Sequence, residues 1–391
     1  MMHLRSVSCA TDKTYCVRME RGLLAHDNRW LAEVIGGRRT IIITTTSVHR
    51  LYGESLRSYL EWHAIPAAIH VMHCTEATKT LQTAEDICEF ARSLDIDRRG
   101  LLVAFGGGVC SDLVTVVASW IRRGIGHVRI PTTLVGQVDA AVGIKGAVNF
   151  RDTKNYLGCY CPPEQVLIDP GFLATLQARA LRCGLSEILK MAIVRDAELF
   201  NLVEACHASL LRSRFVKPHE IVDRVLGLAI RRMLEELEPN IFEDVTCQRL
   251  LDMGHTFSPV LEAASAFSIA HGEAVAIDMA VSAAVALHLD LLDASDYERI
   301  VHLLRAIGLP VWSPLLTPAL VERALAHARR HRGGLANLVV PTAIGAATFI
   351  DPVDDERLLR AAIETVRDTG ERASPFSATL VSVMSATSAA V

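Results

Sequence analysis

An apolar strand that runs directly into a glycine turn is the feature that most constrains how this chain folds. Leu101–Phe105 is a short apolar run, and Gly106–Gly108 follow it without a linker. We predict a helix after the glycines, opening near Ser111–Asp112 and ending near Ile121. Glycines at such a turn let the backbone approach a pyrophosphate, and the helix N-terminus adds N–H donors. Taken alone, the same pattern also suits a tight turn that holds no ligand.

The segments on either side of this turn alternate between strand and helix patterns. Short β-branched or apolar runs predict strands, and apolar residues at helical spacing predict helices. The predicted strands are Thr40–Thr46, Ala68–Met72, Leu101–Phe105 and Val128–Ile130, and the predicted helix among them is Lys79–Leu94. Such alternation favours a parallel sheet. We therefore expect an α/β, Rossmann-like N-terminal domain over residues 1–171.

The rest of the chain has a different pattern, because long helical segments replace the alternation. The predicted helices are Leu173–Leu211, Pro218–Leu237, Ser258–Leu292 and Asp296–Ile307, and a strand-like run returns briefly at Leu338–Val340. A mainly α-helical C-terminal domain over residues 172–370 is therefore expected. Residues 371–391 are rich in Ser, Ala and Thr, and we expect them to form a flexible tail.

Composition argues against nucleic acid as a partner. The 391 residues carry a net charge of −4, whereas a nucleic-acid surface would need clustered Lys and Arg. A phosphorylated small molecule remains compatible, since a local basic pocket does not need a basic protein. The ten cysteines are scattered without a CxxC pair, so we expect reduced thiols.

The mean hydropathy of +0.28 makes a membrane span worth testing. The most apolar stretch, Ala274–Leu292, contains Asp278, His288 and Asp290, and we predict a buried helix there. The N-terminal residues contain no apolar signal core. The expectation is a cytoplasmic protein that does not bind membranes.

A glutamate and two histidines are candidate metal ligands. Glu187 lies in GLSEILK, His255 in MGHTF and His271 in HGEA. One carboxylate and two imidazoles with an open position form the donor set of a catalytic zinc site. A bend or two helices would have to bring the histidines together, because a helical segment separates them. Each histidine alone is also compatible with a hydrogen-bonded structural role.

Basic residues among glycines form a third cluster. It comprises Arg122–Gly124 and the segment Val138–Asn155, which contains Lys145 and Lys154. Lysines and arginines beside small residues suit a phosphorylated ligand rich in hydroxyls. A solvated basic loop is the alternative, and apolar neighbours such as Val142 disfavour it.

The three clusters, in this order, resemble the dehydroquinate synthase superfamily of sugar phosphate cyclases. The matching stretches are GGGVCSD (106–112), RRG (122–124), PTTLVGQVDAAVGIKGAVNF (131–150), KNYLG (154–158), GLSEILK (184–190), MGHTF (253–257) and HGEA (271–274). A spaced set of motifs is far more specific than any one of them. The resemblance implies NAD and Zn²⁺, or Co²⁺ in its place, as cofactors. It also implies an NAD-binding N-terminal domain and a C-terminal domain that binds metal and substrate.

The resemblance further implies a role for each matching residue. The metal ligands would be Glu187, His255 and His271. The cofactor-binding residues would be Gly106, Gly107, Gly108, Asp112, Thr132, Thr133, Glu76, Lys79, Asp139, Lys145 and Lys154. The residues around the substrate would be Asp139, Lys145, Lys154, Asn155 and Lys190. Arg123 matches an arginine that reaches a phosphate across a two-fold interface, so a homodimer is expected.

Departures from the family pattern indicate the substrate. Dehydroquinate synthases carry histidine where Pro259 stands, asparagine at Asp252 and arginine at Gln248. Losing the arginine fits a substrate without a carboxylate, because a buried unpaired charge is costly. The stretches GHTFSP (254–259) and ELEPN (236–240), with Asp252 and His331, resemble the 2-epi-5-epi-valiolone synthases. We expect Asp252 to accept hydrogen bonds from sugar hydroxyls and His331 to donate to the ligand or its phosphate.

The activity implied by the resemblance is that of a phosphate lyase and cyclase. Sedoheptulose 7-phosphate would become 2-epi-5-epi-valiolone through transient oxidation by NAD, loss of phosphate, reduction and aldol closure. Alternatives within the superfamily are demethyl-4-deoxygadusol, 2-epi-valiolone and 3-dehydroquinate synthases. A metal-dependent polyol dehydrogenase would share the glycine turn but release NADH. A catalytically dead paralogue is disfavoured, because all three expected metal ligands are present.

Overall fold

A parallel sheet forms the centre of the first part of the chain. The computed structural model describes residues 13–151, 153–353 and 355–371. Its strands are β1 (Cys16–Met19), β2 (Thr40–Thr45), β3 (Ala67–Met72), β4 (Leu101–Gly106), β5 (Gly126–Pro131), β6 (Lys145–Phe150), β7 (Thr153–Tyr160), β8 (Gln165–Ile168), β9 (Leu338–Ala343) and β10 (Ala346–Ile350). Among the described residues, one six-stranded sheet has the order β1-β8-β5-β4-β2-β3, and every neighbouring pair in it is parallel. The pairs β6–β7 and β9–β10 are antiparallel hairpins.

The helices follow the two patterns expected from the sequence. They are α1 (Trp30–Ile35), α2 (Thr46–Trp62), α3 (Leu81–Ser93), α4 (Gly108–Trp120), α5 (Ala178–Arg195), α6 (Ala197–Arg212), α7 (His219–Leu237), α8 (Ser258–Ala264), α9 (His271–His288), α10 (Ala294–Ile307), α11 (Pro318–His331) and α12 (Glu356–Glu371). The first four alternate with strands, and the others are consecutive except for one hairpin. The predicted fold class, an α/β N-terminal part followed by a mainly helical part, is confirmed.

The glycine turn lies where the order in which the chain adds strands to the sheet reverses. From β2 the chain continues to β3 on one side, whereas from β4 it continues to β5 on the other side. The carboxyl ends of the adjacent strands β2 and β4 therefore border a crevice, which is where open α/β sheets bind ligands. Buried apolar residues fill β4 completely up to the glycines. This packing fixes the position of the turn.

Helix α4 begins earlier than the sequence suggested. Its first residue is Gly108, and the N–H of Ser111 donates to the carbonyl of Gly107 at 3.1 Å. The prediction of an opening near Ser111–Asp112 is therefore wrong by about one turn. Gly107 is extended and precedes the first turn of α4. The backbone N–H groups of that helical turn therefore begin at the glycines themselves.

Two long predicted helices are each divided in the structure. The segment 173–211 splits at Asp196, whose extended backbone ends α5 and whose carboxylate accepts the N–H of Leu199 at 2.9 Å to begin α6. The segment 258–292 splits into α8 and α9, with residues 265–270 between them. The apolar stretch around Asp278 is a buried helix, as predicted.

The described residues form two compact units. The first contains residues up to Thr132 together with Gly143–Asp169, and the second contains Thr133–Val142 together with the residues from Pro170 onward. The short segment 133–142 therefore belongs to the second unit, although both of its flanks belong to the first. The predicted tail lies outside the described residues, apart from Glu371. Within the described ranges, no helix combines the length and apolar character that crossing a membrane requires.

Candidate metal centre and glycine turn

Three side chains from three elements of the second unit converge. Glu187 lies in the middle of α5, His271 is the first residue of α9, and His255 lies in the turn before α8. One ligand atom from each lies within 4.8 Å of the other two. The division between α8 and α9 is therefore what brings the two histidines together.

Glu187 is fully buried, and its carboxylate faces cations. Its Oε2 lies 2.6 Å from Lys190 Nζ, and its Oε1 lies 3.3 Å from His271 Nε2. Within the described part of the chain, neither oxygen accepts a well-aligned hydrogen bond. Burial would raise the pKa of Glu187, but Lys190 and the histidines hold it well below its usual value. A buried carboxylate in this state is suited to binding a further cation.

Both histidines are oriented through their Nδ1 atoms. His271 Nδ1 lies 2.9 Å from Glu262 Oε1, and His255 Nδ1 lies 3.1 Å from the carbonyl of Met253. An acceptor at Nδ1 fixes the proton there and leaves Nε2 as the ligand atom, a common arrangement in metal sites. Glu262 was not singled out from the sequence.

The two histidines differ in charge. Burial, reinforced by Lys190, lowers the pKa of His255 to about 3, so this ring is neutral at pH 7. Burial also opposes charge on His271, but Glu187 and Glu262 outweigh it and raise its pKa to about 9. Two imidazole nitrogens and one carboxylate match the donor set of a catalytic zinc site. Once metal binding displaces the Nε2 proton of His271, these residues fit a divalent metal ion.

Lys190 and Asp139 adjoin the three candidate ligands. Lys190 is one turn after Glu187 on α5, and its Nζ donates to Asp139 Oδ2 at 3.1 Å. Asp139 lies in a π-helical turn, Gly136–Ala140, and such turns are frequent at functional sites. Burial raises the pKa of Asp139 despite the opposing charge of Lys190. Lys190 thus forms a buried cation between two carboxylates.

The turn that carries His255 is fixed from two sides. Asp278 Oδ2 on α9 accepts the N–H groups of Phe257 at 2.5 Å and Ser258 at 2.9 Å. Arg332 donates from Nη1 to Thr256 Oγ1 at 3.1 Å and from Nη2 to the carbonyl of His255 at 3.3 Å. Neither Asp278 nor Arg332 was predicted to have a role at the site.

Replacing Asp278 is expected to loosen His255. Asp278→Ala leaves two buried N–H groups without an acceptor at the start of α8, which should cost about 2–4 kcal/mol of unfolding free energy. Asp278→Asn keeps an accepting oxygen and should lose much less. Urea unfolding measures the stability, and competition with a chelator measures the metal affinity. Equal values for Asp278→Ala and the wild type would contradict this role.

The structure pairs Asp252 and His331 with other side chains of the protein. Asp252 is bonded by two arginines, Arg249 and Arg332. His331 Nε2 lies 3.1 Å from His327 Nε2, and His331 is exposed. Arg332, the next residue along the chain, is the one that bonds the turn carrying His255.

A second polar cluster lies in the first unit. The buried Lys79 ammonium donates to Asp112, and to Asn155 Oδ1 at 2.6 Å. Burial raises the pKa of Asp112, with Lys79 opposing it. Nearby, Asn149 Nδ2 donates to Glu76 Oε1 at 3.1 Å. The structure thus brings together several of the residues that the resemblance assigns to cofactor and substrate.

The glycine turn has space only for glycine at its first position. A Cβ on Gly106 would lie 2.7 Å from the Cβ of Cys110, and the carbonyl of Gly106 accepts the N–H of Thr132 at 2.9 Å. The following residues Gly107 and Gly108 are only partly buried, so the first turn of α4 is accessible. A bare backbone at a helix N-terminus fits a pyrophosphate group.

The other predicted residues lie on the β6–β7 hairpin, in an exposed turn and at the start of the segment 133–142. Lys145 is exposed and Lys154 is half-buried on the β6–β7 hairpin of the first unit. Arg123 is exposed in a turn, Arg122–Gly124, whose residues all have positive φ. Thr133 begins the segment of the second unit, where its Oγ1 accepts the N–H of Gly136 at 3.1 Å.

Comparison with known proteins extends the likeness to nearly the whole chain. Family models of the 3-dehydroquinate synthase N-terminal and C-terminal regions match residues 69–183 and 184–331. The chain is 43% identical to a 2-epi-5-epi-valiolone synthase of Streptomyces glaucescens, over 91% of this chain and 92% of that protein. It is 35% identical to the demethyl-4-deoxygadusol synthase of Trichormus variabilis, over 87% and 84% of the two chains.

A solved structure of a similar enzyme has the same fold. The 2-epi-5-epi-valiolone synthase ValA of Streptomyces hygroscopicus subsp. jinggangensis 5008, solved with NAD⁺ and Zn²⁺ bound, superposes with a TM-score of 0.88 at 43% identity. The alignment covers 93% of this chain and 99% of that chain. The fold and the convergent ligand set are those of a sugar phosphate cyclase. This chain belongs to the 3-dehydroquinate synthase family.

Proposed function

We propose that this enzyme is a 2-epi-5-epi-valiolone synthase, which cyclises sedoheptulose 7-phosphate with loss of phosphate on the way to C7-cyclitols. The observation that carries the proposal is the 43% identity to such an enzyme over more than nine-tenths of both chains. Identity to the demethyl-4-deoxygadusol synthase is lower, at 35%. Gln248, Asp252 and Pro259, which differ from the residues of dehydroquinate synthases at these positions, also favour a substrate without a carboxylate.

The proposed cofactors are NAD and one Zn²⁺, with Co²⁺ as the alternative ion. Glu187, His255 and His271 would hold the metal. When bound, the metal supplies a Lewis acid and the nicotinamide a hydride acceptor that is regenerated in each cycle. The accessible N-terminal turn of α4 would receive the NAD pyrophosphate. The other proposed cofactor residues are Asp112, Thr132, Thr133, Glu76, Lys79, Asp139, Lys145 and Lys154.

Lys190 is the protein cation on which the chemistry depends most. Its Nζ lies 2.6 Å from Glu187, so the positive charge is held beside the candidate metal centre. A fixed ammonium stabilises substrate oxygens as they gain negative charge during elimination and ring closure. Asp139 accepts a hydrogen bond from the same ammonium and so fixes its direction. Lys145, Lys154 and Asn155 are proposed to bind the substrate's hydroxyl and phosphate groups.

The proposal includes a homodimer in the cytoplasm. Arg123 is exposed, and a two-fold assembly would let it reach the phosphate in its partner's site. Sedimentation equilibrium tests the assembly. A monomer with full activity would contradict this part of the proposal.

Product analysis tests the proposed reaction. The purified protein, incubated with NAD, Zn²⁺ and sedoheptulose 7-phosphate, should release phosphate and form 2-epi-5-epi-valiolone, as identified by NMR. The heptulosonate phosphate of the shikimate pathway should give essentially no product. Efficient formation of dehydroquinate, or net release of NADH, would refute the proposal. Formation of demethyl-4-deoxygadusol would assign the enzyme to the neighbouring branch.

A further inference from the structure

Asp252 lies between two arginines next to a candidate metal ligand. Arg249 Nη2 donates to Asp252 Oδ1 at 2.5 Å, and Arg332 Nε lies 3.1 Å from Asp252 Oδ2. Asp252 is 8% exposed and Arg332 7%. Both carboxylate oxygens are therefore engaged by guanidinium groups in a nearly buried position. Arg332 also bonds the carbonyl of His255, which places this ion cluster one contact from the candidate metal centre.

The four charges of this cluster cancel. Arg249 also pairs with Glu243, so two guanidinium groups face two carboxylates. Neutral compensation of this kind is what buried charges require. If Asp252 were removed, Arg249 would keep Glu243, and Arg332 would lose the carboxylate bonded to its Nε. The position between the arginines would then carry an uncompensated positive charge.

Arg332 does not depend on Asp252 for its position. Its Nη1 donates to the carbonyls of Ala336 at 2.6 Å and Asn337 at 3.3 Å, and to Thr256 Oγ1 at 3.1 Å. These bonds hold the guanidinium in place and leave its Nε directed at Asp252. Without the Asp252 side chain, the cluster would become a preorganised binding site for a carboxylate.

We propose that Asp252 is an internal carboxylate that occupies an anion site formed by Arg249 and Arg332, and that it thereby excludes substrates bearing a carboxylate at this end of the active site. The inference rests on the proposed function, because it explains the choice of a sugar phosphate without a carboxylate. A carboxylate-bearing substrate would find both cations already neutralised.

Chemical rescue by acetate tests the internal carboxylate. Asp252→Ala in the metal-loaded protein creates space between the two arginines. Its thermal midpoint in sodium chloride should fall, and replacing chloride by acetate at equal ionic strength should raise it by about 2 °C once acetate is near ten times its Kd. The wild type should show no difference between the two salts. Asp252→Ala should also bind the shikimate-pathway heptulosonate phosphate, whereas the wild type is expected not to bind it.

A matched control separates this site from ion pairs in general. Asp196 is also buried and pairs with an arginine, Arg232, at 2.7 Å, but Arg232 is partly exposed and pairs with Glu235 as well. Asp196→Ala should lose stability without any rescue by acetate. Equal behaviour of the two variants would overturn the proposal.

The acetate test remains decisive even if Asp252→Ala fails to fold in chloride. If Asp252→Ala does not fold in chloride, refolding in acetate should recover it, and Asp252→Ser is measured in the same way. Failure of both variants to respond to acetate overturns the proposal, even if the wild type converts sedoheptulose 7-phosphate. Conversely, rescue by acetate supports the anion site even if the wild type makes another product. The two proposals therefore fail separately.

Discussion

Replacing His271 by alanine is expected to abolish both metal binding and turnover. The site would lose one of three ligands, and the remaining Glu187 and His255 would hold a divalent ion far more weakly. Metal analysis after dialysis and the phosphate-release assay measure the two effects. Retention of both zinc and rate by His271→Ala would show that the metal site is wrong.

The matched control for this experiment is Glu262→Gln. Glu262 Oε1 lies 2.9 Å from His271 Nδ1, so Glu262 would affect metal binding only by orienting the His271 ring. Losing such an outer partner typically weakens metal affinity by roughly 10–100-fold without eliminating binding. His271→Ala should weaken metal affinity more than Glu262→Gln does. NAD binding by both variants would show that the fold is intact.

Replacing Lys190 by methionine is expected to destabilise the metal-free protein more than the metal-loaded one. Lys190 neutralises two buried carboxylates, at 2.6 Å from Glu187 and 3.1 Å from Asp139. Removing one partner of a buried ion pair typically costs about 3–5 kcal/mol. A bound divalent ion would neutralise Glu187 and recover part of that loss. Turnover of the metal-loaded protein should also be lost, because the substrate oxyanions lose their cation.

Urea unfolding with a chelator and with zinc measures the difference. Arg224→Met is the control, since Arg224 pairs with Glu198 at an exposed position and its removal should cost about 1 kcal/mol or less in either condition. Wild-type stability of Lys190→Met in the presence of chelator would contradict the role of Lys190 as the counter-ion.

The elements predicted most successfully from the sequence have local causes. The strand–glycine–helix unit at β4 and α4 follows from neighbouring residues, and only the start of the helix was misplaced. The division of α5 from α6 at Asp196 was missed, although it has a local signal, an aspartate before a helical run, which is a known N-cap pattern. The β6–β7 hairpin was missed, although exposed and partly buried residues alternate in β7 from Tyr156 onward.

The residues that support the candidate site could not be predicted in the same way. Glu262 acts on His271 from 9 positions away, Asp278 on Phe257 from 21, and Arg332 on His255 from 77. Such pairs are set by how helices pack, which no local pattern contains. His331 was predicted from its motif, whereas the bond from the next residue, Arg332, to the carbonyl of His255 was not.

The short segment 133–142 limits how this protein can be divided. A fragment beginning at Pro170 would contain every helix from α5 onward but would lack this segment. Its Lys190 would have no Asp139, and Leu134, which packs so closely on Gly184 of α5 that no Cβ fits there, would be missing. The helical unit therefore cannot be isolated by one cut in the gene. Expressing it alone would require joining residues 133–142 to it through a designed linker.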